Sequence, residues 1–148
     1  MGEPGVVGAR AVRIARAWIG TPYRHQASLK GVGADCLGLI RGVWRELYGA
    51  EPEAPPPYSR EWGESDRDEP LLRAARRWLR PSSEPAPGDV LVFRMNEAGP
   101  AKHLALHAET EGEGAIIHAY SGRSVMETPF TTSWRRRLVD RFQFPEEA

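Results

Sequence analysis

The sequence predicts an α+β fold, with N-terminal helices packed on an antiparallel β-sheet. Three observations carry that expectation. Apolar residues recur at helical spacing from Val6 to Ile19 and again from Cys36 to Tyr48. After Gly88 the pattern changes to short apolar or alternating runs with turn residues between them. Helices first and strands second, with no internal repeat, is the order of an α+β domain.

The elements follow in turn. Val7, Val12, Ala15, Trp18 and Ile19 mark the apolar side of the first helix, with Arg10, Arg13 and Arg16 on other faces. Gly20 and Thr21-Pro22 stop it. Thr21 to Ala34 is punctuated by glycine and proline and reads as a loop. Asp35 caps a second helix, Cys36 to Tyr48, which Gly49 ends; its buried stripe is Leu39 or Ile40, with Val43, Trp44 and Leu47. Glu51 to Pro70 is polar and carries Pro52, Pro55, Pro56 and Pro57. Such a stretch makes neither a helix nor a central strand, so an extended surface connection is expected. A short helix from Leu71 to Leu79 and a loop from Pro81 to Pro87 come next. Val90 to Arg94, Leu104 to Glu109, Ala115 to Tyr120 and Val125 to Thr128 read as strands, and Trp134 to Phe144 as one long or two short strands. The whole chain, 1–148, is read as one domain, with 51–86 a proline-rich insert holding a short helix.

A length of 148 residues suits one domain with one core, and an apolar fraction of 41% can supply it. Twenty basic and twenty acidic residues leave no overall attraction to nucleic acid or anionic lipid. No apolar run approaches the ~20 residues that span a bilayer. The expectation is therefore no nucleic-acid partner and no membrane insertion. Met1 to Arg10 has no apolar signal core, so the chain is expected in the cytoplasm or to leave by a route that needs no signal peptide. A single cysteine excludes an internal disulfide and a multi-cysteine metal centre.

That cysteine, Cys36, follows Gly33-Ala34-Asp35 and opens a helix. A thiol there lies near the positive end of the helix dipole and beside unpaired N–H groups, which favours the nucleophilic thiolate. The same N–H groups can stabilise an oxyanion. Gly38 is expected to leave room beside the sulfur for a substrate. The plain alternative is a small buried apolar filler; the position at a loop-to-helix junction is what sets Cys36 apart.

A thiol nucleophile needs a base, and the base an orienting group. His25, His103, His107 and His118 are available. In extended strands His103, Ala105 and His107 share one face, and Ile116, His118 and Tyr120 share another. If the turn between the strands is Thr110 to Glu113, Glu109 pairs with Gly114 and Ala105 lies opposite His118. His103 is then the diagonal neighbour of His118, ~7–8 Å away between backbones. A two-residue turn puts the two histidines directly opposite, and a three-residue turn puts them on opposite faces. The functional reading makes His103 the base and His118 its orienter; the plain reading makes them ordinary buried or rim histidines. His107 is a spare on the same face, and His25 lies in the loop before Cys36, where it could line a cleft. Zinc on Cys36, His103 and His118 is chemically open, but no spacing demands it, so no metal or cofactor is expected.

Taken in order, Trp18-Ile19-Gly20-Thr21-Pro22-Tyr23, Asp35-Cys36-Leu37-Gly38-Leu39-Ile40, Pro87-Gly88-Asp89-Val90-Leu91-Val92-Phe93, His103 at a strand start and Ile117-His118-Ala119 resemble the motif series of the NlpC/P60 cysteine peptidases, from about Ala11 to Met126. The Gly20-Thr21-Pro22-Tyr23-Arg24-His25-Gln26 stretch, Asp35-Cys36-Leu37-Gly38 and the arginine-rich C-terminal segment resemble the phage and gene-transfer-agent branch of cell-wall peptidases. The resemblance implies a papain-like α+β fold with the cysteine helix packed on an antiparallel sheet. It implies hydrolysis of a γ-D-glutamyl–diaminopimelate or related bond in peptidoglycan stem peptides. By the same resemblance Cys36 is the nucleophile, His103 the base and His118 the third member. Tyr23 sits at the substrate cleft near the oxyanion, and Asp35 helps bind a free stem-peptide amine.

Two departures fall near the cleft. Leu37 stands where the family usually has Ser, and His25-Gln26-Ala27 where Trp-Gly-Gly is usual, so His25 and Leu37 join the substrate-binding set. With no SH3-like targeting domain in the chain, delivery is expected from a phage-like tail. Tail-tip or baseplate proteins would be the partners, and the periplasm of a target cell the place of action. The rival readings are a structural tail or hub component with a decayed site, against which the complete Cys–His–His set argues; a Cys–His amidase or acyltransferase on the same scaffold; and a nucleic-acid binder using Arg135-Arg136-Arg137 on an exposed strand or turn, which zero net charge disfavours.

Overall fold

In the computed structural model, which describes residues 5–52, 69–96, 98–120 and 122–146, the periodic apolar residues of the N-terminal half form helices as expected. The prolines at 55–57, and with them most of the expected surface connection, lie outside the described residues. Helix α1, Val6–Ala17, buries Ala11, Val12 and Ala15. Gly20 turns the chain at φ 95°, a conformation that costs a residue without a Cβ little. The turn is tied to a segment distant in sequence: Gly20 N–H donates to the Val125 carbonyl and Val125 N–H to the Thr21 carbonyl, both at 2.8 Å. The loop that follows holds a small antiparallel ribbon, β1 (Ser28–Leu29) with β2 (Gly33–Ala34).

Helix α2, Cys36–Tyr48, starts at the Asp35 cap and ends at Gly49, φ 95°. Leu39 and Ile40 are both buried, with Val43 and Trp44. Gly42 is glycine because the Trp18 ring of the first motif packs closely against α2; a Cβ there would stand 2.1 Å from that ring. Helix α3, Pro70–Trp78, begins with a proline in its first turn and buries Leu71, Leu72 and Ala75.

The second half is β-structure: β3 (Arg80–Pro81), β4 (Val90–Arg94), β5 (Ala101–Glu109), β6 (Ala115–Ala119), β7 (Val125–Pro129) and β8 (Leu138–Gln143). They form one six-stranded sheet in the order β3-β8-β4-β5-β6-β7, with every neighbouring pair antiparallel. One face, with Val90, Val92, Leu104, Leu106, Ala108 and Ile117, packs on the three helices. The other carries Leu91, Phe93, Ala105 and Ile116, covered by Phe130, Trp134 and Leu138. The α+β expectation holds, with helices on one side of an antiparallel sheet. No helix among the described residues is long and apolar enough to cross a membrane.

Three local expectations need correction. Trp134 to Arg137 is not strand but part of a short helix, α4 (Thr132–Arg137), and the strand starts only at Leu138. The Thr131 hydroxyl accepts the Trp134 N–H at 3.3 Å and so caps the turn. Arg135, Arg136 and Arg137 therefore project from a helix rather than a strand or turn. Strand β5 begins at Ala101, three residues ahead of Leu104. Finally, Glu109 pairs with Ala115 rather than Gly114, and a bulge between His107 and Glu109 absorbs the extra residue. Below the bulge, His107 faces Ile116 and Leu106 faces Ile117. One further step in that register sets Ala105 opposite His118, so His103 is its diagonal neighbour on the same face.

Candidate active site

The start of α2 is held by its own cap. Asp35 Oδ1 accepts the Gly38 N–H and Oδ2 accepts the Gln26 N–H, both at 2.7 Å. Asp35 is 4% exposed, so water competes little for these bonds. One carboxylate thereby ties the helix to the preceding loop, whose Gln26 has a left-handed backbone, φ 66°. His25 Nδ1 lies 3.9 Å from Asp35 Oδ2. Tyr23, half-buried, bridges to Ala34 in parallel: Ala34 N–H donates to the Pro22 carbonyl and Arg24 N–H to the Ala34 carbonyl. Tyr23, His25 and Asp35 are thus brought to one loop at the helix start. Leu37 is half-buried against the helical side of the core.

Gly38 does not make room for a substrate. A Cβ there would lie 1.8 Å from the Ala27 carbonyl oxygen. The space beside the helix is filled by the loop, and Ser28 Oγ donates to the Gly38 carbonyl at 2.6 Å.

Cys36 is half-buried, with Sγ 3.9 Å from the Lys102 carbonyl oxygen at the start of β5. The thiol therefore lies against the main chain of the residue before His103. Burial pushes it up to about 12, and the Asp35 charge adds to the rise; the backbone groups of Leu104, Leu37 and Cys36 oppose it without winning. The expected thiolate is corrected to a neutral thiol, because desolvation outweighs what the helix start provides.

The two histidines meet directly. His103 Nε2 is 2.9 Å from His118 Nδ1, and His118 Nε2 is 3.0 Å from Thr128 Oγ1 on β7. Trp134 stacks on His103 with ring centroids 5.2 Å apart at 28°, and meets His118 edge-on at 5.2 Å. Tyr120 and Phe93 complete the aromatic surround of His103. Burial lowers His103 to about 3, with the neighbouring His118 adding to it, and lowers His118 to about 4. The pair is neutral at neutral pH.

His107 is not part of this pair. Arg141 Nη1 reaches both His107 Nδ1 (3.3 Å) and Asp89 Oδ2 (2.8 Å), and Asp89 also accepts from Ser82 Oγ and Ala86 N–H. That buried set fastens β5 to β8 and to the loop before β4. Thr128 and Trp134 are site residues that the sequence reading missed. Thr128 could have been found from strand parity, since it stands two residues beyond Met126, the partner of His118. Trp134 was hidden by its assignment to a strand. Among the described residues, no three His, Cys, Asp or Glu side chains are grouped to hold a metal ion.

The NlpC/P60 family model matches residues 20–142. Among curated proteins, none matches the chain. Similar folds occur in NlpC1 from Trichomonas vaginalis, with TM-score 0.63 and 19% identity over 93% of this chain and 43% of that one. The NlpC/P60 domain of the peptidoglycan hydrolase SagA gives TM-score 0.61 and 22% identity over 93% of this chain and 98% of that one. A lipoprotein-like NLP/P60 protein from Staphylococcus aureus gives TM-score 0.63 and 18% identity, covering 99% of this chain and 44% of that one. The chain thus spans less than half of the Trichomonas and staphylococcal chains and nearly all of the SagA domain. At these identities the structural likeness is one of fold; the family match runs from the loop before Cys36 through both histidine strands into β8. On that span the chain belongs to the NlpC/P60 family.

Proposed function

We propose that the chain is a cysteine peptidase that hydrolyses peptidoglycan stem peptides, with Cys36 as nucleophile, His103 as base and His118 as its orienter. The observation that carries this is the 2.9 Å His103–His118 contact on adjacent strands, with the thiol of a helix-start cysteine at the head of the same strand. The name of the SagA neighbour, a peptidoglycan hydrolase, supports the substrate class.

In this mechanism thiol and imidazole start neutral. Sγ attacks the amide carbonyl as its proton passes to His103, and the Cys36 N–H with Tyr23 steadies the oxyanion. His103 then gives that proton to the leaving amine, takes one from water as the resulting hydroxide attacks the thioester, and returns it to Cys36 Sγ as the acid departs. The bond proposed is γ-D-glutamyl–diaminopimelate or a close relative. Asp35 would contact a free stem-peptide amine in addition to its two backbone donors, and His25 and Leu37 would shape the pocket around it. Delivery by a phage-like tail to the periplasm of a target cell completes the proposal.

The test is a digest of purified muropeptides read by mass, with Cys36→Ala as control. The expected result is cleavage by the wild type alone. Intact muropeptides, together with a Cys36 that iodoacetamide does not label, would overturn it. A second reading is a tail component whose site is quiet until it is assembled. Labelling and cleavage that appear only on addition of tail proteins would single that reading out.

A further inference from the structure

We infer that Thr128 is a positioning residue that sets the proton placement on both site histidines, an inference that rests on reading His103 as the base. Three groups stand in line: His103 Nε2, 2.9 Å from His118 Nδ1, and His118 Nε2, 3.0 Å from Thr128 Oγ1. Each neutral imidazole carries one N–H and one acceptor nitrogen. The line can therefore run in only two directions.

In the first, His103 donates from Nε2 to His118, and His118 donates from Nε2 to the Thr128 hydroxyl oxygen. His103 Nδ1 then keeps its lone pair and can take the thiol proton. In the second, Thr128 donates to His118 and His118 donates from Nδ1 to His103. His103 must then carry its own proton on Nδ1, and no lone pair remains with which to act as a base. The two directions use the same distances but only the first is competent. Thr128 supports it by accepting an N–H from a ring that is 3% exposed, where a donor without an acceptor is rarely tolerated. Trp134, stacked on one ring and edge-on to the other, keeps both from rotating out of line.

The experiment is nitrogen NMR of the full chain with ¹⁵N-labelled histidine, which reads the ring nitrogen that bears the proton. Wild type should show His103 and His118 both protonated on Nε2. Thr128→Val should move both protons to Nδ1 and lower kcat on muropeptides about tenfold to a hundredfold, the population cost of a buried N–H without its acceptor, with KM little changed. Thr128→Ser should restore tautomers and rate. A wild-type His118 protonated on Nδ1, or a valine variant with unchanged tautomers, overturns the inference. The wild-type spectrum needs neither a substrate nor a variant that folds. Failure of muropeptide cleavage would therefore sink the proposed activity while the tautomers still decided the role of Thr128.

Discussion

Replacing Asp35 by Asn separates two things that this carboxylate does at once. Its oxygens each accept a backbone N–H at 2.7 Å, one from Gly38 and one from Gln26. Asparagine caps helices as well as aspartate does, so the Gly38 bond is kept. The amide NH₂ then faces the Gln26 N–H, donor against donor, and a charge-assisted bond worth about 1.5–3 kcal/mol is lost. For a domain of this size about 1 kcal/mol shifts Tm by roughly 2–4 °C, so a fall of roughly 3–12 °C is expected. The second effect runs the other way for reactivity. The Asp35 charge helps hold the Cys36 thiol at about 12; without it the thiol pKa falls, though burial keeps it above the ordinary value. Iodoacetamide alkylation followed against pH reads this cleanly, because the chain has one cysteine. Asp35→Asn should shift the alkylation curve to lower pH while Tm drops, and Asp35→Ala should cost more stability because both ties go. An unmoved Tm, or an alkylation curve that stays put or moves up, would refute this account of the helix start.

Two further outcomes follow from the same geometry. His103, His107 and His118 have folded-state pKa values of about 3, 4 and 4 against an ordinary 6.5. The unfolded chain therefore binds more protons between those values, and the stability these rings contribute is full above about pH 6.5 and lost as pH falls toward their folded values. Tm should decline steadily from about pH 6.5 to pH 4, and less steeply in His107→Gln; a flat profile would contradict the buried neutral state. Gly38→Ala would bring a Cβ to 1.8 Å from the Ala27 carbonyl, so it should lower both Tm and cleavage. Had Gly38 merely left space for a substrate, Tm would hold and only KM would rise.

The sequence made the helices, the Asp35 cap and the shared face of His103 and His118 legible, because each rests on a period or a single local residue type. Their diagonal placement was legible for a less secure reason. The turn assumed was one residue short, and the bulge that compensates is invisible in a list of residues. What was not legible depended on packing. A six-residue arginine-rich helix shows too little periodicity to be told from a strand, which concealed α4 and with it Trp134. The helix dipole acting on Cys36 can be inferred from position, but the burial that overrides it is set by tertiary packing, which brings β5, more than sixty residues away, against the thiol. Gly38 was read as space when the loop fills it, since a glycine does not say which neighbour it accommodates.

The bulge between His107 and Glu109 has a consequence for how this hairpin can change length. It holds one residue in reserve on the β5 side. A deletion of a single residue between Thr110 and Gly114 could be met by drawing that residue into the ladder, leaving His103 and His118 where they are. A second single-residue deletion would find no such reserve and would have to come out of the turn itself; a slip of the ladder by one residue instead would carry Leu104 and Leu106 out of the helical core as it turned His103 away from its partner. The hairpin can thus give up the bulge residue without moving the two histidines, whereas any one-residue slip of the ladder would disturb the core and the histidine pair together.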